Sequence, residues 1–383
     1  MNLSICIFSA QYKPHLGGIT NFTENLSQAL NKLGNDIVIV TNDTSNSGQG
    51  ISTENGIEIV RLPCIPLVGG RLPLPVYNSN MLKLRRHLDR KHFDAVLINA
   101  RFYFHTLYGT KFARKHNIRP IVLDHGSDYI GFSNTLLDPL VHRYEDVITA
   151  IGKRRSPDYY GISAASVSWL EHFGIKAEGV LSNSIDAEKF RDQASERSFR
   201  DELGIADSRF LIAFLARLIP EKGVDAVIAA SKDPEITRRN IVFAIAGDGP
   251  LADDVKSAES PTLRYLGKLD RPDVASLFLQ ADALCLPSRS EGFATTLLEA
   301  SACGLPSIVT SVGGAKELIP SPDYGTIIPD RSSEAVISAV CKLADNQQLK
   351  QLQSQNCRQL VEQNYSWEAS AQRVEHACKH AMR

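Results

Sequence analysis

The feature that most restricts the fold is an apolar run, a glycine turn, a stretch of helical spacing and a second apolar run, in that order. Residues 3–9 are apolar, and Pro14, Gly17 and Gly18 follow as a turn. Ile19, Phe22, Leu26, Ala29, Leu30 and Leu33 then recur at helical spacing, Gly34 ends the helix, and Asp36–Thr41 is apolar again. Such a segment is a βαβ unit, and its strands must run parallel.

The alternation continues. Ile57–Leu62, Ala95–Asn99, Pro120–Asp124, Tyr160–Ser163 and Val180–Ser182 read as strands, and Met81–Lys91, Leu107–His116 and Ala164–Phe173 as helices. It restarts at Phe210–Leu215. Strands are expected at Ile241–Ala246, Leu263–Leu266, Ala283–Leu286, Ser307–Thr310 and Thr326–Ile328, with helices at Val224–Ser231 and Thr295–Cys303. The expectation is an α/β protein of two Rossmann-like domains facing across a central cleft. Residues 1–184 form the first domain and 185–364 the second. Residues 365–383 form a closing helix packed back toward the first. The polar stretch Ala187–Arg200 reads as the linker.

A chain of 383 residues is longer than one core usually holds, which agrees with two domains. Its 42 Lys and Arg against 43 Asp and Glu give no reason to expect general nucleic-acid binding, which needs a strongly basic face. Seven cysteines, none in a Cys-x-x-Cys pair, argue against a disulfide framework and a structural zinc. No run approaches ~18 apolar residues, and the start Met1-Asn2-Leu3-Ser4 lacks the basic opening of a signal peptide. A cytoplasmic protein is expected.

Four motifs carry chemistry. At the Gly17-Gly18 turn, backbone can approach a ligand and the next helix aims N–H groups at an anion. A tight turn with no ligand reads equally well. Arg217 and Lys222 lie just past a buried strand, the edge where open α/β sheets bind ligands; together they suit a diphosphate, though most charge pairs are solvated loops. The stretch Ser288–Ala300 turns from loop to helix at Gly292, so its first N–H groups carry the positive dipole end. Glu291 and Glu299 stand eight residues apart in it. At ~1.5 Å rise that is ~12 Å, beyond the roughly 5–9.5 Å of glycosidase carboxylates. It suits two acceptors gripping opposite ends of an extended nucleotide-sugar. His125, before Gly126, ends the strand Pro120–Asp124 and faces the cleft. Gly247-Asp248-Gly249-Pro250 reads as structural support.

Taken in order, these pieces resemble a known family. The Gly-Gly turn, His125-Gly126, Asn183–Asp186, Ala216-Arg217-Leu218 with Glu221-Lys222-Gly223, Ala246–Pro250, Leu266–Lys268, Glu291 with Glu299, and Tyr365–Glu368 look like retaining glycosyltransferases of family GT4, with the GT-B fold. The resemblance covers nearly the whole chain. It departs where the family often has Pro-Asn-Gly-Val-Asp, here Ser182–Asp186, and Gly-Arg, here Ala216-Arg217.

The resemblance implies roles. Glu299 hydrogen-bonds the donor's ribose. Glu291 binds the donor sugar, helped by N–H groups of Gly292, Phe293, Ala294 and Thr295. Arg217 and Lys222 neutralise the diphosphate, and Gly17-Gly18 covers the phosphates. His125 contacts the sugar near its reacting carbon, and the base lies near Gly267, Lys268 and Leu269. The implied chemistry is front-face substitution from a UDP- or GDP-sugar. No Asp-x-Asp pair is present to hold a metal, and none is expected to be required. A nucleotide-sugar epimerase, a phosphorylase and a nucleotide-sugar-binding module are the alternatives.

The implied acceptor is a lipid-linked glycan for cell-surface polysaccharide, with a soluble small molecule as the alternative. Arg71, Lys83, Arg85, Arg86, Arg90 and Lys91 interleave with Leu72, Leu74, Val76, Leu82, Leu84 and Leu88, and Lys153-Arg154-Arg155 adds to them. Such a stretch suits peripheral contact with an anionic membrane, or simply a solvated helix face.

Overall fold

A computed structural model describes residues 2–15, 17–46, 48–131 and 137–382. The chain divides into two compact units, Met1–Asn183 with Trp367–Arg383, and Ser184–Ser366.

In the first unit the strands are β1 (Ser4–Ser9), β2 (Asp36–Asn42), β3 (Gly50–Glu54), β4 (Ile57–Leu62), β5 (Cys64–Leu67), β6 (Leu72–Pro75), β7 (Ala95–Asn99), β8 (Ile121–Asp124), β9 (Asp158–Gly161) and β10 (Gly179–Val180). Eight of them make one sheet in the order β10-β9-β8-β7-β1-β2-β4-β3. All its pairs are parallel except β3 with β4. β1 and β7 are apolar runs buried along their length, as strands covered on both faces must be. The chain leaves β1 toward β2 on one side and later returns to β7 on the other. The carboxyl ends of β1, β7 and β8 therefore flank a topological switch point, where ligands of such sheets sit.

The helix Gly18–Lys32 buries Phe22, Leu26 and Leu30, one stripe at four-residue spacing. The closing helix Trp367–Ala381 packs on it within the same unit. Trp367 meets Phe22 edge-on at 5.8 Å, Asn35 Nδ2 donates to Glu375 Oε1 at 2.6 Å, and Ser370 Oγ donates to the Ser182 carbonyl at 2.9 Å.

In the second unit β11 (Phe210–Leu215), β12 (Ile241–Ala246), β13 (Leu263–Gly267), β14 (Ala283–Leu286), β15 (Ser307–Thr310) and β16 (Thr326–Ile328) form an all-parallel sheet. Its order is β13-β12-β11-β14-β15-β16, so its switch point lies between β11 and β14.

One expectation is corrected. Ala187–Arg200 is not a linker. Asp186 and Ser198 cap two short helices, Ala187–Asp192 and Phe199–Glu202, through their side chains. Phe190 and Phe199 enter the second unit's core, 1% and 0% exposed. The stretch reads as polar because the faces opposite those two rings are solvated. The strand β3, the hairpin β5–β6 and the helix Asp138–Lys153 also lie where no element was expected.

Candidate active site

Close approach between turns builds the site in the second unit. Gly223 has φ +73°, and a Cβ there would lie 2.2 Å from the Pro287 carbonyl oxygen. The turn after β11 thus rests directly on the turn after β14, and Arg289 N–H donates to the Glu221 carbonyl at 2.7 Å. The turn after β15 closes from the far side. A Cβ on Gly313 (φ +53°) would lie 2.8 Å from the Glu291 carbonyl oxygen, and one on Gly314 would lie 2.5 Å from the Phe293 ring. Thr310 Oγ1 donates to the Ser288 carbonyl at 2.5 Å.

This packing joins two residues expected in separate roles, Lys222 at the diphosphate and Glu291 at the donor sugar. Lys222 Nζ lies 2.5 Å from Glu291 Oε1, and Ser288 Oγ donates to the same oxygen at 2.9 Å. Both side chains are largely buried, so the pair is a charge-assisted bond at the switch point. Arg217 stands exposed in the same turn, its guanidinium without an ion-pair or hydrogen-bond partner among the described residues.

Glu299 lies on the helix Thr295–Ala302, half-buried, with no hydrogen-bond or ion-pair partner among the described residues. Burial pushes its carboxyl up to about 7, against the nearby charge of Arg271. An unpaired carboxylate held in such a place is costly by itself and suits a ligand that brings donors. The helix begins at Thr295, where its spacing placed it. Ala294 is its N-cap and makes no side-chain cap bond, so Gly292–Ala294 remain loop.

Gly267 (φ +67°) ends β13, leaving Lys268 exposed and Leu269 half-buried. The Gly247–Pro250 turn is structural. A Cβ on Gly247 would lie 1.9 Å from the Ala216 carbonyl oxygen, and Leu218 N–H donates to the Asp248 carbonyl at 2.9 Å. It fixes the backbone that carries Arg217.

In the first unit, Gly17 is extended at φ 172° and caps the helix that starts at Gly18. A Cβ on either glycine would meet nothing within 4 Å. Neither backbone angle nor packing calls for glycine there, unlike at Gly223, Gly247 or Gly313.

His125 follows β8 and packs edge-on against Phe22 at 5.0 Å. Its Nε2 lies 3.2 Å from Asn99 Oδ1, while Asn99 Nδ2 donates to Thr23 Oγ1 at 2.9 Å. That amide orientation requires the proton on Nε2 and leaves Nδ1 as an acceptor. Burial lowers the imidazole to about 3, so it is neutral at physiological pH. Beneath it, Arg101 is buried between two carboxylates, with Nε 3.2 Å from Asp124 Oδ2 and Nη1 3.0 Å from Glu145 Oε2. Glu145 Oε1 accepts from Ile130 N–H at 2.8 Å, tying down the segment after His125.

The sequence reading saw Gly313-Gly314 as a turn and Ser288 as the start of a motif but gave neither a site role, and it missed Asn99 and the Arg101 triad. The adjacent glycines at 313–314 were the one available signal. The others declare themselves only by what they touch.

Two family models match in succession, glycosyltransferase family 4 over residues 16–189 and glycosyl transferases group 1 over residues 195–376. The chain belongs to the family 4 glycosyltransferases. An uncharacterized glycosyltransferase of Methanocaldococcus jannaschii is 24% identical over 96% of each chain. The GDP-mannose-dependent monoacylated alpha-(1-6)-phosphatidylinositol monomannoside mannosyltransferase of Corynebacterium glutamicum is also 24% identical over 96% of each. The sucrose-phosphate synthase of Thermosynechococcus elongatus superposes with a TM-score of 0.76 over 99% of each chain at 16% identity. The glycosyltransferase has the GT-B fold, an α/β architecture of two Rossmann-like domains. The expected membership and fold class both hold.

Proposed function

We propose that this glycosyltransferase moves a hexosyl or N-acetylhexosaminyl group from a UDP- or GDP-sugar to a hydroxyl of a lipid-linked glycan, with retention and without a required metal. The observation that carries the donor half is the second unit's switch point. A free guanidinium (Arg217) and a Lys222–Glu291 pair are held there by interlocked turns, and the helix that follows the Glu291 loop carries an unpaired carboxylate, Glu299.

Glu299 accepts hydrogen bonds from the donor's ribose hydroxyls, which supply the partners its carboxylate lacks. Arg217 binds the diphosphate. Lys222 bridges from Glu291 to a diphosphate oxygen, and Glu291 binds a hydroxyl of the donor sugar. The base lies along Gly267–Leu269. The Gly17-Gly18 turn is assigned to the phosphates and His125 to the reacting sugar. A neutral imidazole whose Nε2–H is spent on Asn99 acts there as an acceptor through Nδ1.

Both glutamates are committed to binding, so neither serves as a nucleophile beneath the anomeric carbon. The acceptor oxygen bonds to that carbon on the face the diphosphate leaves. The carbon–oxygen bond to the diphosphate breaks, and a leaving-group oxygen takes the acceptor's proton. Arg217 and Lys222 stabilise the charge that develops. The lipid-linked acceptor is supported by the Corynebacterium relative, whose name places a mannosyl group on a phosphatidylinositol glycan.

A thermal-shift panel of UDP-, GDP- and ADP-sugars identifies the donor, and product NMR reads the anomeric configuration. An inverted product removes the front-face reading. Release of an altered nucleotide-sugar with no acceptor present would mark an epimerase instead.

A further inference from the structure

The first unit holds a cavity at its sheet edge, which the transfer chemistry above leaves unused. It measures about 240 Å³ and opens at the carboxyl ends of β2 and β4, where Asn42 and Leu62 are the last residues. The helix Phe104–Lys115 gives one wall through Phe104, Leu107, Tyr108 and Lys111, one face at three- and four-residue spacing. Met81 and Arg85 of the helix Ser79–Asp89, and Pro73 and Pro75 of β6, give the other.

The lining sorts by chemistry. Leu62, Pro73, Pro75, Met81, Phe104 and Leu107 are apolar. Arg85, Lys111 and Arg155 are cationic, and among the described residues no Asp or Glu lines the cavity. Arg155 is fixed by bonds from Nη1 to the Leu107 carbonyl (2.9 Å) and Thr110 Oγ1 (3.0 Å). Arg85 lies over the Tyr108 ring at 5.1 Å. Neither Arg85 nor Lys111 has an ion-pair partner among the described residues. Deeper in are two acceptors. Asn42 Nδ2 donates to the Ala10 carbonyl at 2.9 Å, leaving Oδ1 unspent. His105 is buried with its Nε2 2.8 Å from the Val40 carbonyl, which requires the proton there, and burial lowers it to about 4. Its Nδ1 is then an acceptor.

Three cations without a carboxylate call for an anion, and a planar guanidinium beside an ammonium suits phosphate oxygens. Two acceptors call for hydroxyls. Six apolar residues call for a body without charge. We propose that this cavity binds a phosphate ester of a hydroxyl-bearing carbon skeleton, its phosphate between Arg85, Lys111 and Arg155 and its hydroxyls on Asn42 and His105. It lies on the sheet edge that carries His125 and Gly17, so the ligand is the acceptor's phosphorylated part. That last assignment rests on the transfer reading. The binding does not.

The test titrates full-length protein with glycerol 3-phosphate and with monomeric dihexanoyl phosphatidylglycerol by calorimetry, beside UDP as a control for the second unit. Binding of at least one phosphate ester is expected, weakened about tenfold or more by Lys111→Gln and by Arg85→Gln, the scale of one lost charged hydrogen bond. UDP affinity should not change in either variant, and Lys176→Gln, on the exposed surface, should change nothing. Preference for the phosphatidyl ester marks a lipid source, and preference for glycerol 3-phosphate a soluble one. The proposal is overturned if neither ester binds, or if both variants bind as wild type does. Loss of UDP binding in Glu299→Gln with ester binding intact separates this site from the donor site.

Discussion

Glu299 is where folding and function pull apart most clearly. Its folded value of about 7 lies above the usual carboxylate value near 4.5, so ionisation costs stability in the native state. That cost is present in full above pH 7 and disappears as pH falls toward 4.5. At 1.36 kcal/mol per unit the ceiling is about 3 kcal/mol, and water reaching the half-buried head brings it nearer 1. Glu299→Gln should therefore raise the melting temperature of the unliganded enzyme at pH 8 and leave it unchanged at pH 4.5. The same variant should bind the donor nucleotide more weakly. If it melts lower than wild type at pH 8, the carboxylate has a partner in solution and the ribose role loses its basis. The pH profile follows the same sign. Donor affinity should fall as pH drops through about 7, when Glu299 protonates, and Glu299→Gln should lose that limb. His125, depressed to about 3, contributes no titration there.

Lys222 and Arg217 differ in what they leave behind. Removing Arg217 takes away an exposed, unpartnered charge, and Arg217→Ala should slow transfer by roughly 10²-fold with little change in melting temperature. Lys222→Ala should slow transfer by a similar factor, and it also strips the ammonium from Glu291. A double-mutant cycle of Lys222→Met with Glu291→Gln should show coupling of about 1 kcal/mol or more in stability. Additive effects would mean the pair does not persist in solution. Turnover should survive excess EDTA. Activity lost there and restored by Mg²⁺ or Mn²⁺ would transfer the diphosphate charge to a metal.

At the scale of turns, glycines divide into two kinds that look alike in the sequence. Gly247 (φ +144°) lies where a Cβ would overlap the Ala216 carbonyl at 1.9 Å. Gly247→Ala should cost on the order of 3 kcal/mol or more, a drop of roughly 10 °C for a unit this size. Gly17 has open space and an extended backbone. Gly17→Ala should leave melting within ~1 °C and still cut turnover, because a methyl there obstructs only a ligand's approach. Calorimetry beside an initial-rate assay separates the two. Unchanged turnover in Gly17→Ala would make that turn a plain helix start. The helix Ser79–Asp89 teaches the same lesson. Its Met81, Leu84 and Leu88 are buried in the core, and Lys91 with His87 is bound to Glu58, so much of the basic amphipathic pattern is spent inside the unit.

For the molecule as a whole, no helix among the described residues is long and apolar enough to cross a membrane. What faces outward in the stretch 65–90 is Arg71, Lys83, Arg86 and Arg90, with Ile65, Leu67, Val68, Tyr77 and Leu82 exposed beside them. At roughly 1 kcal/mol per cation near an anionic surface, four cations would give reversible, salt-sensitive attachment, the expectation that co-sedimentation tests. Co-sedimentation with anionic vesicles should be substantial at low salt and fall steeply at high salt. It should be lost in Lys83→Glu with Arg86→Glu and Arg90→Glu. Equal, negligible binding to anionic and neutral vesicles would favour a soluble acceptor.

The alternation of apolar runs, glycine turns and helical spacing determined the two parallel sheets, because a buried strand and an amphipathic helix each leave a local periodic trace. It also placed Arg217 and Lys222 just past a strand end and Glu291 and Glu299 in a stretch that runs from loop into helix, since strand ends and helix starts are local too. Family 4 membership was legible from the order of motifs. The helix Asp138–Lys153 and the two buried phenylalanines of Ala187–Arg200 were not. Their hydrophobic partners lie far away in sequence, and a polar outer face hides a short helix. Nor could the sequence show that Lys222 bonds Glu291, that Asn99 sets the proton on His125, or that Arg85, Lys111 and Arg155 line one cavity. Each such fact is a distance between residues 26 to 70 positions apart. Such distances exist only once parallel strands have brought their carboxyl ends to one edge of a sheet.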